Sequence, residues 1–222
     1  MIAAALREPF TLVPSFVGER DAVALRELYG DDALFRSRVV MERHAFGRGE
    51  YKYFANPLPP IVQRLRDELY RELVPAANAW MEALGSTSRY PATLQAFLHE
   101  CIESEQKRPT ALLLRYGPGD YNCMHQDLYG PVAFPLQATI YLSRPGEEFG
   151  GGEVVLTEQP ARAQTRAHVI VPKQGDLLIL PTRYAPRYGK DPRPHRVAFR
   201  HGVSTVAWGE RFTLGVIFHD AR

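Results

Sequence analysis

The stretch RYGPGDYNCMHQDLYG, residues 115–130, ends a predicted strand, turns at GPGD and continues as an extended segment that contains His125 and Asp127. In extended chain, residues i and i+2 point to the same side. One imidazole and one carboxylate can therefore reach a single metal ion. A third ligand must come from another part of the fold.

Around this stretch, from Arg108 to the end of the chain, short runs rich in Val, Ile, Leu, Phe and Tyr alternate with Gly, Pro and Asp. Such spacing is typical of an antiparallel sandwich or barrel. We expect a jelly roll in this half. The predicted strands are Thr110–Tyr116, Phe134–Ser143, Glu153–Thr157, His168–Val171, Leu177–Leu180, His195–Ala207 and Arg211–Phe218.

The front of the chain has a helical period instead. The segment after Pro60 carries Leu65, Leu69 and Leu73 at four-residue steps, which marks one buried helix face, and Gly85 is a plausible end. Two more helices are predicted over Gly18–Gly30 and Pro91–Glu105. The expected fold is α+β, one domain over residues 1–222. Its mostly helical front (1–108) packs on one sheet of a jelly-roll core (109–222).

Among the remaining histidines, His201 lies in a predicted strand where Val197, Phe199 and Val203 share its face. A single histidine on an apolar face is more often a core residue than a ligand. The following strand changes the balance, because it aims Arg211 towards the interior.

That strand, RFTLGVIFHD, has one fully apolar face, while Arg211, Thr213 and Gly215 lie on the other. Phe134–Ser143 has the same alternation, with Gln137 and Tyr141 on its polar face. An unpaired buried arginine costs several kcal/mol, so an inward guanidinium requires an anion. The sequence therefore predicts a polar interior that holds a carboxylate-bearing ligand.

Two histidines and one carboxylate are the facial ligand set of non-haem iron(II) oxygenases. A zinc site with the same ligands is the alternative, and a cupin-like barrel without redox turnover is a further one. Zinc would not account for the inward arginine, whereas iron with an oxoacid does.

At these residues the chain resembles the 2-oxoglutarate/iron(II) dioxygenase superfamily, whose core is a double-stranded β-helix. The motif HQD is followed by a histidine 74 residues after its aspartate and by an arginine ten residues further on. GGEVVLTEQ (151–159) and FGRGEYKYFANPLPP (46–60) are similar to a bacterial family of such oxygenases, described as acting in oxidative demethylation of damaged nucleic acid. The spacing also resembles that of prolyl hydroxylases.

The resemblance implies iron(II) on His125, Asp127 and His201, with 2-oxoglutarate and O2 as cosubstrates. Arg211 would pair with the distal carboxylate of 2-oxoglutarate. Tyr141, sixteen residues after His125, matches a tyrosine that binds the same carboxylate in prolyl-hydroxylase-like members. Tyr116 and Thr213 are candidates for the pocket wall. The implied reaction couples decarboxylation of 2-oxoglutarate to hydroxylation of a substrate.

Two basic segments are candidates for contact with the primary substrate, which is either a nucleobase or a free amino acid, peptide or small metabolite. HAFGRGEYKYF (44–54) interleaves cations with aromatic residues, as a substrate lid or as a core turn. TRYAPRYGKDPRPHR (182–196) is an arginine-rich loop before the His201 strand. A net charge of +2 is lower than dedicated duplex binders usually have.

Composition excludes other classes. No apolar run approaches the ~18 residues of a membrane span. The apolar run in the N-terminus MIAAALREPF is too short for a signal peptide. Two cysteines, Cys101 and Cys123, form neither a disulfide framework nor a zinc knuckle. We therefore expect a cytoplasmic protein with no membrane partner.

Overall fold

The computed structural model describes residues 8–188 and 193–222. Its α-helices all lie in the front half: α1 (Glu19–Glu27), α2 (Pro60–Ala83) and α3 (Leu94–Glu103). Each falls within a predicted segment. Helix α2 starts with a proline at its first position, where no backbone N–H is needed. The side chain of Thr93 caps α3 by accepting a hydrogen bond from the backbone N–H of Ala96.

The strands, numbered in chain order, cover both halves of the described chain. They are β1 (Thr11–Val13), β2 (Phe35–Val40), β3 (Gly47–Arg48), β4 (Glu50–Phe54), β5 (Leu112–Tyr116), β6 (Tyr121–His125), β7 (Leu136–Tyr141), β8 (Phe149–Gly151), β9 (Val154–Gln159), β10 (Arg166–Ile170), β11 (Leu177–Pro181), β12 (Tyr184–Arg187), β13 (His195–Val203), β14 (Val206–Gly209) and β15 (Arg211–Val216).

These strands form two large antiparallel sheets. The larger has the order β1-β11-β7-β15-β5-β4-β2, and the smaller has the order β10-β9-β13-β6-β3 with β12 paired to β13. Strands β14 and β8 form a separate ribbon. The chain is thus a mixed helix-and-strand fold with mostly antiparallel sheets, as the sequence predicts.

The strand prediction needs three corrections. The segment 182–196, predicted as a loop, contains β12, and β8 was also not predicted. The predicted strand His195–Ala207 is interrupted at Ser204. This residue leaves the strand pairing, and its hydroxyl accepts a hydrogen bond from the backbone N–H of Glu153. The chain then continues as β14. In the front half the prediction contained only helices, yet β2 and β4 extend the larger sheet. Front and core therefore share one sheet.

The larger sheet separates the helices from the interior of the fold. On β15, Phe212 and Leu214 belong to the main hydrophobic core together with residues of α1 and α2. Helix α1 contacts β15, and α2 contacts β7 of the larger sheet and β12 of the smaller one. The opposite face of β15, with Arg211 and Thr213, lines a cavity. This is the two-faced arrangement that residue parity predicts.

None of the helices in the described ranges has both the length and the hydrophobicity required to span a bilayer.

Candidate metal centre

The pairing of β13 with β6 brings together residues that are far apart in the sequence. His201 and His125 are direct cross-strand partners in this antiparallel pair, which places their side chains next to each other on one face. Their ring centroids are 4.2 Å apart. Asp127 follows two residues after the end of β6, so its carboxylate reaches the same face.

The three side chains have the geometry of a ligand set for one metal ion. One potential ligand atom from each lies within 4.8 Å of those of the other two. The Nε2 atom of His125 is 3.6 Å from Asp127 Oδ1, and that of His201 is 3.3 Å from Oδ2. Ligands about 2.1 Å from a common ion at right angles would be about 3.0 Å apart. A small inward shift is therefore enough to hold an ion.

Hydrogen bonds fix the ligand atom of His125. Its Nδ1 is 2.7 Å from the backbone carbonyl oxygen of Cys123, which can only accept, so Nδ1 carries the proton. That leaves Nε2 deprotonated and directed towards Asp127 and His201. Metal-binding histidines usually donate their second N–H in this way. The donor set therefore fits an ion.

Electrostatics favour the protonation states that bind a metal. Burial, and secondly the neighbouring His201, lower the pKa of His125 and so favour the neutral imidazole. Burial alone would raise the pKa of Asp127. The hydrogen bonds with His201 and from Tyr129, together with the positive charge that each histidine has when protonated, outweigh burial and hold that pKa well below its usual value.

Sequence reasoning did not identify the side chains that orient these ligands. The hydroxyl of Tyr129 donates to Asp127 Oδ1 at 2.7 Å, and the hydroxyl of Tyr53 donates to that of Tyr129 at 3.2 Å. The Nε2 amide of Gln137 lies 3.4 Å from Nδ1 of His201. Tyr129 is two residues after Asp127, a spacing that could have suggested its role, whereas Tyr53 comes from β4.

Arg211 lies deep in the same interior, with only 3% of its surface exposed. It is paired in register with Tyr116 on β5, and Thr213 with Tyr141 on β7. The guanidinium carbon is 5.4 Å from the ring centroid of Tyr116 and 5.5 Å from that of Tyr141. Within the described residues no carboxylate forms an ion pair with Arg211. The charge of Arg211 does contribute to the lowered pKa of Glu153, so a carboxylate compensates it only partly and without direct contact.

The groups around Arg211 are neutral hydrogen-bonding groups. Burial raises the pKa of Tyr116 to about 12, although the charge of Arg211 acts in the opposite direction. Burial also raises the pKa of Tyr141. Gly152 permits the close approach of the arginine, since a Cβ there would lie 2.9 Å from Arg211 Cδ. At neutral pH the two tyrosines thus add no negative charge beside Arg211.

One cavity of about 520 Å³ is lined by all seven side chains that the sequence singles out. They are His125, Asp127, His201, Arg211, Tyr116, Tyr141 and Thr213. The volume is in the range of small-molecule sites. The cavity can hold a metal ion and, beside it, an anionic ligand that reaches the arginine.

The two basic segments are placed differently. Ala45, Phe46, Tyr51 and Tyr53 of the segment 44–54 line the cavity, and Phe46 is half exposed. In the arginine-rich segment, Arg187 is bound to Glu8 and Glu158 rather than directed to the cavity. Lys190 of that segment lies outside the described residues.

Fold and site together define a class: an antiparallel β protein with a two-histidine, one-carboxylate metal-binding geometry inside it. The family model described as an oxygenase catalysing oxidative methylation of damaged DNA matches residues 49–221. The chain therefore belongs to this oxygenase family. The predicted class, an oxygenase of the 2-oxoglutarate and iron(II) type, is confirmed.

The chain is also similar to a relative in sequence and to two solved structures in fold. An uncharacterised protein of Mycobacterium tuberculosis (strain H37Rv) is 39% identical over 208 residues, which is 92% of this chain and 82% of that protein. A prolyl-4-hydroxylase of Pseudomonas putida has a similar fold, with a TM-score of 0.59 at 16% identity over the whole of both chains. A 2OG-Fe(II) oxygenase family oxidoreductase of Burkholderia pseudomallei matches with a TM-score of 0.51 at 20% identity, over 99% of this chain and 90% of that one.

Proposed function

We propose that this protein is a 2-oxoglutarate- and iron(II)-dependent dioxygenase in which His125, Asp127 and His201 hold the iron. The observation that carries the proposal is the combination in one cavity of three converging metal-ligand atoms and a buried arginine without a carboxylate partner. A metal site alone would not require the arginine. An oxoacid that binds both does.

Arg211 receives the distal carboxylate of 2-oxoglutarate. A guanidinium fork binds a carboxylate through two parallel hydrogen bonds. Tyr141 and Thr213 are register partners on adjacent strands, line the same cavity and carry hydroxyls that would serve as additional donors. Tyr116 forms the wall under the guanidinium.

Bound iron(II) would supply the open coordination positions at which 2-oxoglutarate and O2 react, with release of succinate and CO2 and hydroxylation of the substrate. The chain itself provides orientation. Tyr129 holds one oxygen of Asp127, which leaves Oδ2 for the metal. Cys123 fixes the tautomer of His125.

We propose further that the two large sheets form the double-stranded β-helix of this superfamily, with residues 1–222 as one domain. The shared larger sheet supports this, because β2 and β4 of the front are continuous with the core. A cytoplasmic location is supported by Cys101 and Cys123, which are both free thiols.

Oxidative demethylation of an alkylated nucleobase is the first candidate reaction, and the family description supports it. Hydroxylation of a methyl group bound to a base nitrogen gives an unstable product that loses formaldehyde. The second candidate is hydroxylation of a free amino acid, peptide or small metabolite at the same site. The low net charge of +2 favours this alternative.

Succinate release tests the proposal. The protein is loaded with iron(II) without oxygen, mixed with 2-oxoglutarate and exposed to air, alone and with methylated single-stranded oligonucleotides or free amino acids. Succinate formation that a methylated oligonucleotide stimulates, with formaldehyde, supports demethylation. Stimulation by an amino acid supports the second candidate. No succinate under any condition would leave the non-redox barrel as the better description.

Two substitutions separate the proposed roles. His201→Ala removes a ligand, so we expect loss of iron retention, whereas His195→Ala, on the same strand but exposed, should retain iron.

Arg211→Ala should keep the metal and raise the concentration of 2-oxoglutarate needed for half-maximal turnover by about tenfold or more, because the distal carboxylate of 2-oxoglutarate loses a charged partner. Iron content and 2-oxoglutarate titration measure these effects. Equal loss of iron in His201→Ala and Arg211→Ala would contradict the division of roles.

A further inference from the structure

A second depression lies outside the metal cavity, where the end of α2 meets the segment after Asp127. Its volume is about 320 Å³. Apolar side chains form much of its lining: Met81, Leu84, Tyr90, Leu128 and Phe134. This volume is at the lower end of the range of ligand pockets, about 300–1,000 Å³. It suits one small ring system with a substituent rather than an extended chain.

One side of the depression is strongly basic. Arg183 and Arg196 line it together with Tyr184. Both guanidinium carbons lie over the Tyr184 ring, at 4.7 Å and 4.8 Å from its centroid. No carboxylate in the described ranges pairs with either arginine. The ring face stabilises both cations, but no carboxylate neutralises them, so an anion at this side of the depression would be attracted by two positive charges.

A buried hydroxyl adds a second, independent observation. Thr182 lines the same depression and is 2% exposed. Its Oγ1 has no hydrogen-bond partner among the described residues. Buried hydroxyls are normally bonded, so this unpaired group marks an unsatisfied polar position in the wall of the depression.

The depression is connected to the metal centre through the HQD motif. Leu128, the residue after Asp127, lines both the depression and the metal cavity. Gln126, between the two proximal ligands, donates to the carbonyl oxygen of Phe199 at 2.7 Å and lies 3.5 Å from that of Arg183. The depression and the metal cavity therefore share a wall at Leu128.

We propose that this depression binds one nucleotide unit, with its base against the apolar lining and its phosphate at Arg183 and Arg196. A single guanidinium fork already matches a carboxylate, whereas two forks match the larger set of phosphate oxygens. This proposal rests on the proposed demethylation of nucleic acid. In that reaction the depression would hold the nucleotide next to the one being oxidised.

Binding of 2′-deoxyadenosine 5′-monophosphate tests the proposal without turnover. Isothermal titration of the full chain, with 2-oxoglutarate present to fill the site at Arg211, compares this probe with deoxyadenosine, inorganic phosphate and indole-3-acetate. We expect the nucleotide to bind about tenfold or more tightly than each of the other three, because only it contacts both halves of the depression. The double variant R183Q/R196Q should lose that advantage.

Arg200→Gln is the matched control, because it removes an exposed arginine from the same strand outside the depression. It should bind the nucleotide like the wild type. Unchanged nucleotide binding in R183Q/R196Q, or indole-3-acetate binding as tight as that of the nucleotide, would overturn the proposal. Nucleotide binding without succinate release would overturn the proposed function only. Succinate release without nucleotide binding would overturn only the proposal that this depression binds a nucleotide.

Discussion

At the scale of single residues, the hydroxyl of Tyr129 is what sets the metal site apart from a chance cluster of ligands. It donates to Asp127 Oδ1 at 2.7 Å and so orients the carboxylate and stabilises its charge. Tyr129→Phe should lower iron affinity by about 10–100-fold, the usual cost of removing a partner of a metal ligand. Competition titration with a metal-binding dye measures this.

Tyr53→Phe is the matched control for that prediction. Its hydroxyl bonds to Tyr129 rather than to the carboxylate, so its removal should weaken iron binding less than Tyr129→Phe does. Tyr129→Phe with wild-type iron affinity, or equal losses in the two variants, would show that the phenol does not orient Asp127.

At the scale of elements, alternation within a strand was predictable and pairing between strands was not. Parity alone assigned Arg211 and Thr213 to the cavity face of β15, because side-chain direction in a strand is a local property. The hydroxyl of Tyr53 reaches Tyr129 only because β4 joins the larger sheet, and local sequence does not specify that pairing. The same limit explains the strands missed in the front half.

The pairing of β13 with β6 depends on Gly202, next to His201. A Cβ at this position would lie 2.7 Å from the backbone oxygen of Asn122 and 3.0 Å from Sδ of Met124. Gly202→Ala should push the two strands apart, lower iron affinity by about tenfold or more, and cost about 1–3 kcal/mol of unfolding free energy. Iron titration and urea unfolding measure the two effects.

Gly30→Ala provides the comparison, because nothing lies within 4 Å of a Cβ there. It should change neither iron affinity nor the urea midpoint appreciably. If Gly202→Ala binds iron as tightly as the wild type, the separation of the two histidines does not depend on the close approach of these strands.

At the scale of the whole molecule, the helical front is tied to the β core by a buried charge. Arg66 of α2 is 1% exposed and donates to the carbonyl oxygens of Ile217 and Phe218 and to Asp220. Ile217 directly follows β15, the strand of Arg211 and Thr213, and lines the metal cavity with them. The position of α2 therefore supports the end of the segment that carries the proposed oxoacid site.

Arg66→Ala should accordingly destabilise the whole fold. It leaves the carboxylate of Asp220, itself 6% exposed, without its charged partner. Breaking a buried pair from one side costs about 3–5 kcal/mol. Arg64→Ala, on an exposed position of the same helix, should cost no more than about 0.5 kcal/mol. Urea unfolding followed by circular dichroism measures both, and a loss below about 1 kcal/mol for Arg66→Ala would mean that this ion pair does not hold α2 to the core.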